Sequence, residues 1–383
     1  KRQLPESKKN RQRRISLLLN QGEVFLLLVK FSEYYELLTR YEPIAIGLGN
    51  QALLGALYSR MGFCDCEFGH FDQGIKRLTK ATELCEAAGN IEDAGYAYTW
   101  LGWNHLFAGH YDQVLAVKEE LLRTMQQQFN PRWYVRGLCA ASRACICLGR
   151  WDQAVEEAQK ALQAAEESSD NSLVIFADWT LAMVYTWRGD LNRGVEYGEL
   201  ALQKAVTPSD KAWAQRGLGW ALCRAGEANR GVEILADVVP IFGATHRMPG
   251  LIATMCTLGA GYWLAGEDDK ARQTLEEGLE IAEQCGAVYY VGWSHRFLGE
   301  IALKVDPARA ASHFEKSIAV LQKINAENDL ALAYAGYGRL QKQQGQFAAA
   351  REYLTKALEI FERLGTLIEP DEVREILAEL PEA

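Results

Sequence analysis

The chain repeats itself every ~40 residues, and that period constrains its fold more than any other property. A small residue recurs at Gly22, Gly62, Gly102, Ser142, Ala182, Gly219, Gly259, Gly299 and Gly338, at spacings of 40, 40, 40, 40, 37, 40, 40 and 39. Seven residues later a turn position recurs, at Val29, Gly69, Gly109, Gly149, Gly189, Gly226, Gly266, Asp306 and Gly345. An aromatic or apolar residue often follows two positions on (Phe71, Tyr111, Trp151, Leu191, Phe347), and a small one five positions on (Gly74, Ala154, Gly194, Gly231, Ala271, Ala311, Ala350). Self-similarity at this period predicts a stack of supersecondary units rather than one compact globule.

The stretch from Gly137 to Asp170 illustrates the unit. Apolar and small residues recur at helical spacing on both sides of Gly149. The glycine allows the left-handed conformation that ends the first helix, and Ala154 lets the second return against it. Polar breaks at Gly89-Asn90, Ser168 to Asn171, Pro208 to Asp210 and Asn325 to Asp329 separate the units. Pro131, Pro208 and Pro249 fall near the expected starts of first helices, where proline is tolerated. In the sixth unit the second helix is expected to end near Val239-Pro240, leaving Ile241 to Gly250 as a loose connection. Pro370 and Asp371 are expected to open a last helix running to about Leu380.

Composition removes several function classes. The chain has 383 residues and a net charge of −9, which argues against a general nucleic-acid binder. Its start is basic (Lys1, Arg2, Lys8, Lys9, Arg11, Arg13, Arg14), as in a solvated linker or a helix start. Nine cysteines (64, 66, 85, 139, 145, 147, 223, 256, 285) scatter through expected helices. The Cys64/Cys66 and Cys145/Cys147 pairs would point their thiols apart on a helix, so buried packing groups in a reducing cytoplasm are expected, with no metal and no cofactor. No apolar run reaches the ~20 residues of a membrane helix. The chain opens on a polar segment without an initiator Met and reads as a piece cut from a longer polypeptide.

No catalytic constellation emerges. There is no GxxxxGK[ST] loop and no HExxH. His70 and His110 each follow a turn glycine and mark a repeated exposed turn, and the acidic pairs Glu156-Glu157 and Glu166-Glu167 read as solvated helix faces.

The pattern of small residue, turn and aromatic resembles tetratricopeptide repeats, with each helix lengthened beyond the usual 34-residue unit. Ala87 to Gln113 looks like the long variety found in signalling regulators. The stretches His313 to Leu380 and Leu4 to Phe31 resemble the C-terminal region of bacterial class III adenylate/guanylate cyclases that also carry an AAA-type ATPase domain. That resemblance implies an all-α, right-handed superhelix of about nine units, cytoplasmic and without catalytic residues of its own. The expected organisation is a basic linker or first-helix start at 1–11, a solenoid at 12–369 and a cap helix at 370–383. The units fall at roughly 12–50, 51–90, 91–130, 131–170, 171–207, 208–247, 248–287, 288–326 and 327–369.

In such stacks the first helix of each unit lines the concave wall. Applied here, that frame points Trp103, Phe107, Arg136, Arg143, Phe176, Trp179, Met183, Trp187, Trp213, Arg216, Trp220, Arg224, Trp263, Trp293, Arg296, Arg339 and Lys342 inward, with only Glu23, Glu67 and Glu300 as acids. Trp and Arg are the residues that hold interfaces, so a basic, aromatic groove for a protein or an acidic peptide is expected. The partner would be a separate protein or the upstream cyclase and ATPase domains. Two alternatives are a sensor of a small anionic ligand that changes oligomeric state, and a scaffold that dimerises.

Overall fold

A computed structural model describes residues 7–28 and 30–381. Lys1, Arg2 and the first expected turn, Val29, lie outside the described residues, as does the side chain of Glu23. The first unit holds α1 (Lys8–Asn20), α2 (Gly22–Leu27) and α3 (Phe31–Leu48). Four helix pairs follow, α4 (Gln51–Glu67) with α5 (Phe71–Ala87), α6 (Ile91–Phe107) with α7 (Tyr111–Gln127), α8 (Pro131–Cys147) with α9 (Trp151–Ser168), and α10 (Asn171–Arg188) with α11 (Leu191–Lys204). Four more are α12 (Pro208–Arg224) with α13 (Ala228–Ala244), α14 (Met248–Leu264) with α15 (Asp268–Cys285), α16 (Val288–Leu303) with α17 (Pro307–Lys323), and α18 (Glu327–Gln343) with α19 (Phe347–Leu364). A last helix, α20 (Glu369–Ala378), closes the array. Among the described residues there is no strand, and no helix is long and apolar enough to cross a membrane.

The repeated residues explain the repeated ends. Asn50, Asn90, Asn130, Asp170 and Thr207 each accept a backbone N–H at the start of a first helix, worth about 1 kcal/mol apiece. Gly69, Gly109, Gly149, Gly189, Gly226, Gly266 and Gly345 turn the chain inside the pairs with φ between +68° and +97°. The small residue five positions later sits where backbones meet. A Cβ on Gly231 would come within 2.5 Å of both Cys223 Sγ and the Gly219 carbonyl oxygen.

Three local expectations need correction. The sixth unit has no loose connection, because α13 runs through Pro240 to Ala244 and only Thr245 to Arg247 join it to α14. Pro240 forfeits one helical hydrogen bond, but Leu235, Val238 and Phe242 bury one face on both sides of it and hold the helix. In the eighth unit Asp306 is not a left-handed turn; it caps α17 ahead of Pro307, which shifts the buried small residue from Ala311 to Ala310. Glu157 is not solvated, being buried against Lys118 at 2.9 Å.

His70 and His110 are exposed at their turns. Eight of the nine cysteines are buried and all are free thiols. Burial pushes Cys139, Cys145, Cys147, Cys223 and Cys256 up to about 12, so they pack as neutral groups.

The coil winds tightly enough to touch itself. Gly69 faces Met248 and Cys285, Gly109 faces Val288 and Ile324, Gly149 faces Leu364, and Gly189 faces Leu367 and Ile368. Each of these turns therefore packs on the unit five further along, with α20 and the turn before it standing in for a tenth. Polar bonds reinforce the seam. Arg247 binds Glu67 at 2.8 Å, the Leu367 N–H donates to the Arg188 carbonyl at 3.0 Å, and Arg224 binds Glu369 at 2.7 Å. The last helix thus does more than cover the apolar edge of the ninth unit, where Val373 packs with Ala357 and Phe361. It also stitches the end of the coil to its middle.

Candidate functional site

First helices build the inner face. Phe176, Trp179, Met183 and Trp187 follow one another along α10 at steps of three or four, as do Trp213, Arg216, Trp220 and Arg224 along α12. That spacing keeps each set on one side of its helix. The tight winding carries α16 across the groove to meet them, and the inner face divides into a front chamber, a packed waist and a rear chamber.

At the waist, Trp179 is fully buried, with the guanidinium of Arg143 5.3 Å and that of Arg216 4.8 Å from its ring centre. Arg143 and Arg216 both donate to the sulfur of Met183, at 3.1 and 3.4 Å, and Arg143 also donates to the Tyr290 hydroxyl at 3.3 Å. Burial, together with the nearby charge of Arg143, holds Arg216 down to about 9. Beside them Trp187 donates to the Tyr289 hydroxyl at 3.1 Å, and Tyr289 donates to Asp329 at 2.8 Å. Burial raises both the Tyr289 phenol and the Asp329 carboxyl, even though Arg296 stands 4.0 Å from Asp329. Trp220 and Trp293 complete the plug with ring centres 5.6 Å apart.

The front chamber is a cavity of about 370 Å³. Aromatic rings form its walls, with Phe63 on Trp100 at 4.4 Å and Tyr96 on Trp133 at 4.7 Å between ring centres. Arg132, Arg136 and Arg247 line it along with Asp170, Ser172, Ser209 and Asp210. Arg247 lies between the rings of Phe31 and Trp213, binds Glu67 and donates to the Ser209 hydroxyl at 2.9 Å. A recess of about 80 Å³ extends from it towards Trp103, Phe107 and Phe176.

The rear chamber, of about 250 Å³, lies between α12, α14, α16, α18 and α20. Trp263 meets Phe297 at 5.5 Å between ring centres, and the Arg296 guanidinium covers the Phe297 ring at 3.9 Å. Arg224 pairs with Glu369 and Arg339 with Glu300.

The expected site residues therefore share one inner surface but not one open groove. Trp103, Phe107, Arg136 and Trp213 reach the front chamber. Arg143, Trp179, Trp187, Arg216, Trp220 and Trp293 form the waist, where each is buried. Arg224, Trp263, Arg296 and Arg339 line the rear chamber, which Trp220 also borders. The chambers are also less basic than expected. Asp170 and Asp210 enter at helix starts and Glu369 and Glu372 from the last helix, positions that a first-helix frame does not sample. The same frame missed Trp100, Trp133, Arg132, Arg247 and the Tyr289-Tyr290 pair. The adjacency of two tyrosines to Trp293 was the available signal for the pair, and Arg247 was hidden in the stretch expected to be loose.

A family model described as Tetratricopeptide repeat matches residues 290–363. No curated protein matches the chain. Among solved structures, a Rap protein complexed with Competence and Sporulation Factor is similar with a TM-score of 0.65 and 13% identity, over 92% of this chain and 99% of that one. The Rap conjugation gene regulator of the plasmid pLS20, in complex with the Phr* peptide, gives a TM-score of 0.60 and 16% identity, over 93% and 97%. The human IFIT1 dimer with m7Gppp-AAAA gives 0.53 and 15%, over 95% and 80%. At such identities the likeness is one of fold, and the fold is that of a tetratricopeptide-type repeat array wound as an all-α, right-handed superhelix.

Proposed function

We propose that this chain is a non-catalytic interaction module of a cyclase-type signalling protein. In this reading its front chamber holds an extended peptide segment bearing apolar and acidic side chains. The segment comes from a partner or from an upstream catalytic domain, and its seating regulates output. The observation that carries the reading is the front chamber itself, about 370 Å³ of space with aromatic walls and three arginines, larger than the rear chamber and separated from it by the packed waist. Its size falls within the range of ligand pockets, and its walls combine the residue types that dominate interface energetics. Two structures of similar fold, a Rap protein complexed with Competence and Sporulation Factor and the pLS20 regulator in complex with the Phr* peptide, hold a bound partner, which supports a regulatory binding role. The cyclase setting rests on the resemblance of Leu4 to Phe31 and His313 to Leu380 to that group.

The test is selection from a displayed random-peptide library on the immobilised full chain, followed by fluorescence anisotropy with the enriched peptides. They should combine acidic and aromatic residues and lose about tenfold or more in affinity against Arg136→Glu, since a charge-assisted contact turns repulsive. A selection without enrichment, or peptides that bind the variant equally well, would sink the reading.

A further inference from the structure

Charged side chains buried in this coil are, as a rule, paired. Arg60 meets Asp93, Arg77 meets Asp65, Lys118 meets Glu157 and Arg296 meets Asp329. Arg143 and Arg216 depart from that rule. They are 5% and 3% exposed, yet neither has a carboxylate partner among the described residues. Their acceptors are the Met183 thioether, shared by both, and the Tyr290 hydroxyl. A thioether is a weak acceptor, far short of what a buried cation needs. Two further donors at the same place, Arg216 Nε and Trp179 Nε1, have no acceptor. Asp329 instead accepts from Tyr289 and stands 4.0 Å from Arg296. Two N–H groups, one from each guanidinium, thus converge on a position held by sulfur, with two unpartnered N–H groups on the same side chains or the ring they cover. Methionine is unbranched and readily changes rotamer, so its sulfur can yield that position. The front chamber is next to it, separated by Trp213, which lines that chamber and lies 5.1 Å from the Trp179 ring and 5.4 Å from the Arg216 guanidinium.

We infer that Arg143 and Arg216, with the Tyr290 hydroxyl, form an oxyanion site that takes one carboxylate or phosphoryl group in place of the Met183 sulfur. Two parallel N–H donors per guanidinium suit such a group, and one negative charge between two positive ones removes the imbalance that burial makes costly. The carboxylate would come from a peptide in the front chamber, in which case the inference rests on the function proposed above. A phosphoryl group would come from a free phosphorylated metabolite and needs no peptide.

The test uses the purified full chain in chloride buffer at constant ionic strength. Thermal midpoints are measured with added inorganic phosphate, and with an acidic peptide from the library selection offered as its free acid or with its carboxylates amidated. The wild type should rise by about 2 °C or more with a productive anion, by mass action on the folded state. Arg216→Met should lose that response while melting no lower without anion, because it removes an unbalanced buried charge. Met183→Leu keeps the volume and removes the shared sulfur acceptor, so it should respond to the anion more strongly than the wild type; it also serves if Arg216→Met does not fold. A response to the free acid but not its amide assigns the site to peptide carboxylates. A response to phosphate assigns it to free anions and stands even if no peptide enters the front chamber. No response to either anion, or equal responses in the wild type and both variants, overturns the site.

Discussion

The front chamber and the waist are made of the same residue types, drawn mostly from first helices, yet one is a cavity and the other is solid. In both, first helices present tryptophan and arginine inward. The difference comes from the far side of the coil. At the waist α16 arrives with Tyr289, Tyr290 and Trp293 and fills the groove, whereas the front chamber opens towards the first units of the coil. Whether an inner residue of a solenoid faces a ligand or a neighbour is therefore set by how tightly the coil winds, not by residue type. The largest expected effect follows from this contrast. Trp179→Ala should cost about 4 kcal/mol, as for other fully buried aromatic residues, because it empties the centre of the waist. Arg132→Ala, at the chamber rim with a side chain 39% exposed, should stay within about 0.5 kcal/mol. Urea unfolding of both variants decides it, and a mild Trp179→Ala would mean that the waist is not packed.

The tightness of the winding can itself be probed with two glycines of almost identical backbone geometry. Gly69 and Gly266 have φ of +76° and +79°. A methyl group at Gly266 would meet nothing within 4 Å, whereas at Gly69 it would come 2.5 Å from Cys285 Sγ and 3.2 Å from Met248 Cβ. Alanine at either position carries the left-handed strain of about 1–2 kcal/mol. At Gly69 a further ~1–3 kcal/mol of overpacking should appear. Gly69→Ala should also loosen the Arg247–Glu67 seam and so expose the front chamber to quenching of its tryptophans by acrylamide. Equal destabilisation by the two alanines would mean that the coil does not close on itself at this seam.

The sequence carried the local half of this architecture openly. The glycines at a 40-residue spacing are left-handed turns, and Asn50, Asn90, Asn130 and Asp170 are helix caps at the same spacing. Both signals are local, since each residue acts on backbone within four positions of itself. The winding was not legible, because it depends on contacts such as Glu67 with Arg247, 180 residues apart, which leave no periodic trace. For the same reason the inner residues were identified as a set but not sorted into chamber and plug. Glu369, which balances Arg224, sits in a helix that sequence reasoning placed only at the end of the ninth unit. A tryptophan packed between helices and one lining a cavity have the same sequence signature, and so do a paired and an unpaired arginine.

The smallest expected effect separates the helix that plugs the waist from the rest of the coil. His295, on α16, is buried against His313 of α17, with their Nδ1 atoms 3.0 Å apart. Burial lowers His295 to about 4, with the nearby His313 and Lys316 adding to the effect, while its unfolded value is 6.5. Between those values the unfolded chain binds a proton that the folded chain refuses. The neutral histidine therefore contributes fully above pH 6.5, and its contribution is lost as the pH falls towards 4. Buried carboxyls such as Asp65, Asp178 and Asp329, raised by burial, act in the opposite sense, so the wild-type melting curve alone would mix the two. The difference between the wild type and His295→Gln isolates the histidine. Above pH 6.5 the variant should melt lower by a constant amount, since it loses the ring contact with His313. From pH 6.5 down to about 4 that gap should shrink, because only the wild type gives up the His295 contribution there. His105 on α6, likewise lowered to about 4 by burial and by His110 at the turn before α7, provides a matching pair outside α16. If α16 is the element that closes the groove, acid should loosen the waist through His295 but not through His105, and tryptophan quenching at pH 5 should increase less in His295→Gln than in His105→Gln. Equal quenching in the two variants would mean that α16 holds no special place in closing the coil.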